Sequence, residues 1–268
     1  MELTLPPEYN SINDVYTNTR LSKRDKLVYL INKYEIDPYF SEKLEILNDY
    51  EIVLLCDDSG SMNTPLNDNN GYSTRWDELK AVVNIVVSIA TIYDNNGIDI
   101  HFLNREGIDN IKCEEEVKNI LNEIPCGGTP LTQKLEEILQ KFNSISKKLL
   151  VIIATDGLPT YNGQLDLENF KTLLKNKNHS KVFISFLACS DNSQDVDYLN
   201  ELDKTIPNID TLDDYNSELK EVRQIQGNSF KYSFSDHIVR LLLGPICPEL
   251  DKLDEKKINK TKNKCNIM

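Results

Sequence analysis

Oxygen-bearing side chains alternate along a short stretch directly after a strongly apolar segment. The run Glu51–Cys56 is followed by Asp57, Ser59 and Ser61, so every second residue offers a carboxylate or hydroxyl oxygen. Gly60 allows the chain to turn tightly between them. Mg²⁺ prefers oxygen ligands of this kind. The spacing therefore indicates a loop that binds a cation.

Two further polar groups occupy comparable places later in the chain. The segment 126–131 (CGGTPL) puts the hydroxyl of Thr129 behind two glycines and just before a predicted helix. The apolar run 149–154 ends in a Thr-Asp-Gly sequence, which places Asp156 at the carboxyl end of a predicted strand. In open α/β sheets, ligands gather at the carboxyl ends of strands where the strand order reverses. A strand order of 3-2-1-4-5-6 would make the strands leading to Asp57 and Asp156 neighbours at that point.

The elements that must position these groups alternate between strands and helices. Short apolar runs rich in β-branched residues predict buried strands at Glu51–Cys56, Ile98–Leu103, Leu149–Ala154, Lys181–Ala188 and Asn208–Leu212, with a short edge strand near Asn110–Cys113. Amphipathic stretches predict helices over 74–93 (with Thr74 as N-cap), 114–123, 131–142, 166–174 and 196–204. This alternation predicts an α/β fold with a doubly wound, mostly parallel six-stranded sheet flanked by helices.

Helical segments are expected to extend this sheet at both ends. Before it, the sequence predicts helices at Lys23–Lys33 and Pro38–Leu47. After it, helices are predicted at Tyr215–Gln226 and Ser235–Leu253, the latter with Ser235 as N-cap and a kink at Gly244-Pro245. The expected organisation is a helical N-terminal extension (1–48), an α/β domain (49–213), a C-terminal helical segment (214–253) and a mobile lysine-rich tail (254–268).

The three motifs together resemble the von Willebrand factor A domain. Asp-x-Ser-x-Ser, Gly-Gly-Thr-Pro-Leu and Thr-Asp-Gly follow one another in the order of that family, each beside a predicted strand or helix end, over about residues 50 to 213. The resemblance implies a Rossmann-like fold with an intact metal-ion-dependent adhesion site. It implies direct metal ligands at Ser59, Ser61 and Thr129, and mostly water-mediated contacts from Asp57 and Asp156. The remaining coordination position would then accept an acidic side chain of a partner protein.

A cation held in this way is suited to binding rather than to catalysis. Three neutral hydroxyls leave most of the charge of Mg²⁺ or Mn²⁺ unneutralised, so the ion attracts a carboxylate from another molecule. No base or nucleophile is evident beside the motif. Asp58 fills the variable position of the motif, and we expect it to cap a turn or to face solvent. The sequence therefore predicts a non-enzymatic, metal-dependent protein-binding module.

Other functions make different demands on the same residues. A small GTPase needs a Gly-x-x-x-x-Gly-Lys-[Ser/Thr] loop after its first strand, and this chain has no lysine there. A haloacid-dehalogenase-like phosphatase would use Asp57 as nucleophile and a second acid two residues later, where the chain has Ser59. A metal-independent structural A-type domain would usually have lost some of the ligands. The phosphatase and the metal-independent domain remain as alternatives.

The chain is acidic overall, but its C-terminus is basic. Its 30 basic and 43 acidic side chains give a formal charge of −13, and residues 1–255 alone carry −18. The last 13 residues contain no acid and five lysines: Lys256, Lys257, Lys260, Lys262 and Lys264. An acidic body repels nucleic acid, so we expect no nucleic-acid partner.

The last four residues, 265–268 (CNIM), fit the C-a-a-X prenylation signal, in which a terminal Met favours farnesyl. We expect a farnesyl group on Cys265, removal of the last three residues and methylation of the new end. One lipid chain attaches a protein only marginally, and the lysines would add roughly 1 kcal/mol each on an anionic leaflet. With no secretory signal, no apolar run long enough for a membrane span and no Cys-x-x-Cys pair, the sequence predicts a cytoplasmic protein with free thiols, peripheral on the cytosolic face of a membrane.

Overall fold

A computed structural model describes residues 21–66, 71–190 and 193–258. Its strands are β1 (Tyr50–Cys56), β2 (Ile98–Phe102), β3 (Ile108–Ile111), β4 (Lys148–Thr155), β5 (Thr160–Tyr161), β6 (Gln164–Leu165), β7 (Val182–Ala188) and β8 (Ile209–Leu212). Six of them form one sheet in the order β3-β2-β1-β4-β7-β8, while β5 and β6 form a separate hairpin. Within the sheet only β3 is antiparallel to its neighbour. The predicted mostly parallel six-stranded sheet is confirmed, and its strands have the order 3-2-1-4-5-6 that makes the strands leading to Asp57 and Asp156 neighbours.

The α-helices lie between and beyond these strands. They are α1 (Lys23–Lys33), α2 (Pro38–Ser41), α3 (Arg75–Tyr93), α4 (Lys118–Leu121), α5 (Leu131–Lys141), α6 (Leu167–Asn176), α7 (Ser193–Thr205), α8 (Tyr215–Gln226), α9 (Phe234–Leu243) and α10 (Pro248–Asp251). Short 3₁₀ helices occupy Leu44–Asp49, Gly60–Asn63, Glu114–Glu116 and Gly244–Ile246. Thr74 caps α3, as predicted, by accepting a hydrogen bond from the Asp77 N–H. Within the described ranges, no helix is both long and apolar enough to cross a bilayer.

Both faces of the sheet are covered, because alternate side chains of β1 enter two different hydrophobic clusters. Ile52 and Leu54 belong to one, which we call the α3 cluster because it contains the apolar side of α3. Val53 and Leu55 belong to the other, the α5 cluster, which α5, α6 and α7 complete. A parallel sheet buried on both faces explains why its strands appear in the sequence as continuous apolar runs.

The two extensions are part of the α3 cluster. Leu30 and Phe40 from the N-terminal side share this cluster with Ile238 and Leu242 from the C-terminal side. The backbone N–H of Asp37 also donates to the Asp236 carboxylate over 2.8 Å, which joins the two extensions directly. The extensions therefore supply part of the cover for one face of the sheet.

The predicted helix boundaries in the extensions need correction. The segment predicted as one helix over 38–47 forms α2 and a 3₁₀ helix instead. Helix α9 is capped by Ser233 rather than by Ser235, because Ser233 has Asp236 three residues later and forms a reciprocal capping box with it. The predicted kink at Gly244-Pro245 is a break, since α9 ends there and a 3₁₀ helix follows. The five cysteines in the described ranges are all free thiols, as predicted.

The first residues of the predicted mobile tail are held against the body. The Gln226 side-chain amide donates to the Lys256 carbonyl over 2.8 Å and accepts from the Ile258 N–H over 3.0 Å. Asp254 accepts a hydrogen bond from Arg240 over 2.9 Å. Residues 254–258 therefore do not belong to a mobile tail, because these polar contacts and the packing of Ile258 against the α3 cluster hold them in place. Cys265 and the lysines at 260, 262 and 264 lie outside the described residues.

Candidate metal centre

The predicted ligands meet at one edge of the sheet because β1 and β4 are parallel neighbours in register. Cys56 pairs with Ala154, so the two strands end together. The backbone N–H of Asp57 then donates to the Ala154 carbonyl over 2.9 Å. Asp57 and Asp156 consequently leave the same end of the sheet, where the strand order reverses.

Four of the five predicted ligands are linked by hydrogen bonds. The Ser59 and Ser61 hydroxyl oxygens lie 3.0 Å apart, and the Ser61 hydroxyl donates to Asp156 Oδ1 over 2.7 Å. Asp57 accepts from the Ser59 N–H over 2.9 Å and from the Thr155 hydroxyl over 2.7 Å. The loop after β1 is thus folded onto the end of β4, with the Ser61 hydroxyl directed toward the second carboxylate and the Ser59 hydroxyl beside it.

Thr129, the fifth predicted ligand, lies on the adjacent loop. The Gly60 N–H donates to the Gly127 carbonyl over 3.2 Å, which fastens this loop to the first one. The Thr129 N–H donates to the Thr160 hydroxyl over 3.1 Å, and Thr129 is buried. Its backbone is therefore fixed on both sides before helix α5 begins.

Other side chains of this chain do not fully compensate the negative charge of the two aspartates in the centre. Asp57 and Asp156 are both buried. Burial, and then the neighbouring charge of Asp156, raise the pKa of Asp57 to about 6. Hydroxyl and carboxylate oxygens grouped around uncompensated charge fit a hard divalent cation such as Mg²⁺ or Mn²⁺, which would offset that charge. Ser59, Ser61, Thr129 and the two aspartates are the residues that would hold it.

Arg75 is a member of this centre that the sequence analysis missed. It is buried at the first position of α3, where its Nη1 donates to Asp156 Oδ2 over 2.8 Å and its Nη2 donates to the Ser190 hydroxyl over 2.9 Å. Asp156 is therefore shared between a serine and a guanidinium. A cation in the first turn opposes the helix dipole, and this unfavourable placement was a signal in the sequence that Arg75 has another partner.

Asp58 neither faces solvent nor caps a turn of its own loop, the two roles predicted for it. Its carboxylate is fully buried and accepts from the Asn104 N–H over 2.8 Å and from Arg105 Nε over 2.6 Å. Asn104 in turn accepts from the Gly128 N–H over 3.1 Å and donates to the Gly128 carbonyl over 2.8 Å. Asp58 therefore positions the loop that carries Thr129. The sequence could not indicate this role because Arg105 and Asn104 follow a different strand.

Gly127 provides a test of how closely this loop is fitted. Its φ is +104°, and a Cβ there would lie 2.3 Å from Asn104 Oδ1. Gly127→Ala should destabilise the metal-free protein by more than the roughly 1–2 kcal/mol of left-handed backbone strain alone, and should weaken Mg²⁺ binding. Denaturant unfolding and calorimetric titration measure the two effects.

Gly163→Ala is the matched control for that variant. Gly163 also has a positive φ, +77°, but no atom lies within 4 Å of the added Cβ. It should therefore show only the backbone strain and normal Mg²⁺ binding. Equal destabilisation and equal Mg²⁺ affinity in the two variants would contradict a close fit between Gly127 and Asn104.

Comparisons with known proteins identify no family. No protein-family model matches the chain, and no curated protein is similar to it in sequence. Among solved structures, the PilB minor pilin from Streptococcus sanguinis aligns with a TM-score of 0.46 and 12% identity, and a mutant of the same pilin aligns with a TM-score of 0.45 and 12% identity. Each alignment covers 63% of this chain and 58% of the pilin chain.

Proposed function

We propose that this chain is a von Willebrand factor A-type domain that binds a protein partner through a divalent cation at its strand-end loops. The observation that carries this proposal is the hydrogen-bonded group of Asp57, Ser59, Ser61 and Asp156 at the ends of two adjacent strands. The cation would be Mg²⁺ or Mn²⁺. Because the hydroxyls are neutral, the ion would keep enough charge to attract a carboxylate of the partner.

The surface around the centre supports a protein partner. Large apolar side chains are strongly exposed there: Ile124 (78%), Tyr161 (54%) and Leu165 (65%). Ile124 precedes the loop that carries Thr129, while Tyr161 and Leu165 lie on the hairpin whose Thr160 accepts the Thr129 N–H. Apolar side chains beside a cation fit a partner surface on which an Asp or Glu is flanked by apolar groups.

The phosphatase alternative fits this geometry less well. A nucleophilic aspartate must present a free carboxylate oxygen to the substrate, whereas both oxygens of Asp57 accept hydrogen bonds and the side chain is buried. The second acid that such an enzyme requires is replaced by Ser59. The proposal is therefore of a binding protein rather than an enzyme.

The function is tested by affinity capture in Mg²⁺ and in EDTA. A partner retained by the wild-type protein in Mg²⁺ should be lost in EDTA and should bind Thr129→Ala weakly, because that variant removes a metal ligand. Thr172→Ala on the exposed side of α6 is the control and should behave like the wild type. A partner that binds equally well in EDTA would show that the interaction uses another surface.

The proposed location is the cytosolic face of a membrane, through a farnesyl group on Cys265 and the basic residues before it. Lys256 and Lys257, the first two of these, are exposed. In a eukaryotic cell, Cys265→Ser should move the protein from the membrane fraction to the cytosol. Cys113→Ser removes a partly exposed free thiol elsewhere and should not. An intact mass corresponding to an unmodified chain that still ends in Met268 would contradict this location.

A further inference from the structure

Three aspartates from elements far apart in sequence meet beside the edge strand β8. Asp203 lies near the end of α7, Asp210 on β8 and Asp251 at the end of α10. One carboxylate oxygen of each lies within 4.8 Å of the other two. Asp210 is only 2% exposed, and its Oδ2 has no hydrogen-bond partner among the described residues. A buried carboxylate oxygen that accepts no hydrogen bond is costly when charged, and a cation beside these three carboxylates would lower that cost.

Arg240, the nearby arginine, does not form an ion pair with any of these three carboxylates. Arg240 forms ion pairs with Glu218 and Asp254, and its Nη2 donates to the backbone carbonyl of Asp251 rather than to its carboxylate. Across the described ranges, no lysine or arginine forms an ion pair with Asp203, Asp210 or Asp251. Burial raises the pKa of Asp210 well above its ordinary range; the Arg240 charge opposes this shift, whereas the charges of Asp203 and Asp251 and a hydrogen bond with Asp251 add to it. Burial and the neighbouring acids raise the pKa of Asp203 to about 6.

In two other acidic groups among the described residues, a lysine or an arginine forms ion pairs with the acids. Asp99 and Asp109, which lie beside His101, both bind Lys141, over 2.8 and 2.6 Å. The group formed by Glu218, Glu221 and Asp254 contains two acids that pair with Arg240. The aspartates at 203, 210 and 251 form a similar group with no such partner.

We propose that Asp203, Asp210 and Asp251 bind a second divalent cation, of the calcium class. Ca²⁺ takes six to eight oxygen ligands in a flexible geometry, whereas Mg²⁺ is usually held by one or two carboxylates and keeps several waters, so three converging carboxylates suit the calcium class. Three carboxylates supply up to six oxygens, and water can complete the coordination. The ion would join α7 and β8 to α10, and it would thereby fix the segment from which the lysine-rich tail continues.

Calorimetric titration of chelator-treated, full-length protein with CaCl₂ tests this site. All variants carry Asp57→Ala, which removes the strand-end centre from the measurement. Asp57→Ala alone should bind one Ca²⁺ per chain and melt at a higher temperature in Ca²⁺. Adding Asp210→Asn should abolish both effects. Adding Asp109→Asn, in the acidic group that Lys141 already neutralises, should change neither.

Asp203→Asn is a second test variant, needed in case Asp210→Asn misfolds because Asp210 is buried. Asp203 is only partly buried, so its replacement should disturb the fold less. In the same Asp57→Ala background it should also abolish or strongly weaken Ca²⁺ binding. The proposal is overturned if Asp57→Ala binds no Ca²⁺, or if both asparagine variants bind it as Asp57→Ala does. The proposed adhesion site is judged separately, by comparing Mg²⁺ binding of the wild type with that of Asp57→Ala.

Discussion

Replacing Arg75 with methionine should destabilise the metal-free protein by about 3–5 kcal/mol, the usual cost of removing one partner of a buried ion pair. The pair is closely made, with 2.8 Å between Nη1 and Asp156 Oδ2, and both side chains are buried. Methionine keeps much of the length of the side chain but leaves the Asp156 carboxylate without its guanidinium. Denaturant unfolding in EDTA measures this loss.

Metal should restore much of the stability that Arg75→Met loses. A cation bound beside Asp156 would compensate the carboxylate in place of the guanidinium, so Mg²⁺ should stabilise the variant more than it stabilises the wild type. The matched control is Arg105→Met, which removes the partner of Asp58, another buried carboxylate. Because Asp58 is outside the ligand set, Mg²⁺ should not restore that variant in the same way. If Mg²⁺ stabilised both variants equally, Asp156 would not be part of the metal centre.

Asp57→Ala should eliminate the stabilisation that Mg²⁺ gives the wild-type protein. That stabilisation is about 2.7 kcal/mol when free Mg²⁺ exceeds Kd a hundredfold. The metal-free variant should remain folded. The pKa of Asp57 is raised to about 6, so its charged form destabilises the metal-free protein above that pH, and alanine removes this penalty. Thermal unfolding at pH 7 with and without Mg²⁺ measures both effects.

Asp94→Ala is the control for that variant. Asp94 is also buried, but it binds the Ile52 N–H and Lys147 near the beginning of β1, at the other end of the strand from Asp57. Removing the Asp94 side chain should lower stability while leaving the full stabilisation by Mg²⁺.

In the wild type, the stabilisation by Mg²⁺ should shrink from pH 7 to pH 5, because protons then compete with the ion for Asp57. A full Mg²⁺ response in Asp57→Ala would refute the assignment of the centre.

The parts of the fold that were predictable from sequence are those determined by neighbouring residues. β1 and β4 are mostly apolar runs, and the alternation of strands and helices predicts that they belong to one parallel sheet. Their adjacency depended on the strand order, which the alternation alone does not determine. The roles of Arg75 and Asp58 were not predictable, because their partners Asp156 and Arg105 are 81 and 47 residues away in sequence. The chain position of a charged residue does not indicate which other loop its side chain will reach.

The boundaries of the helices in the two extensions were predicted wrongly because they depend on details within a few residues of each helix end. Two serines lie at the start of α9, Ser233 directly before it and Ser235 in its first turn, and the choice of N-cap depends on which one has an acid three residues later. The segment 38–47 has an apolar pattern compatible with a helix, yet it is broken after Ser41 into two short helices. There, packing against the α3 cluster outweighs the periodicity of the sequence.

The shared packing of the two extensions has a consequence for the order in which the chain can fold. Leu30 and Phe40 are synthesised before the sheet, whereas Ile238 and Leu242, which lie in the same cluster, are synthesised after it. Until α9 has been made, one face of the sheet lacks part of its apolar cover, and exposed apolar surface of this kind promotes aggregation. We therefore expect the nascent protein to depend most on chaperones late in synthesis, when the sheet is complete and α9 is still absent.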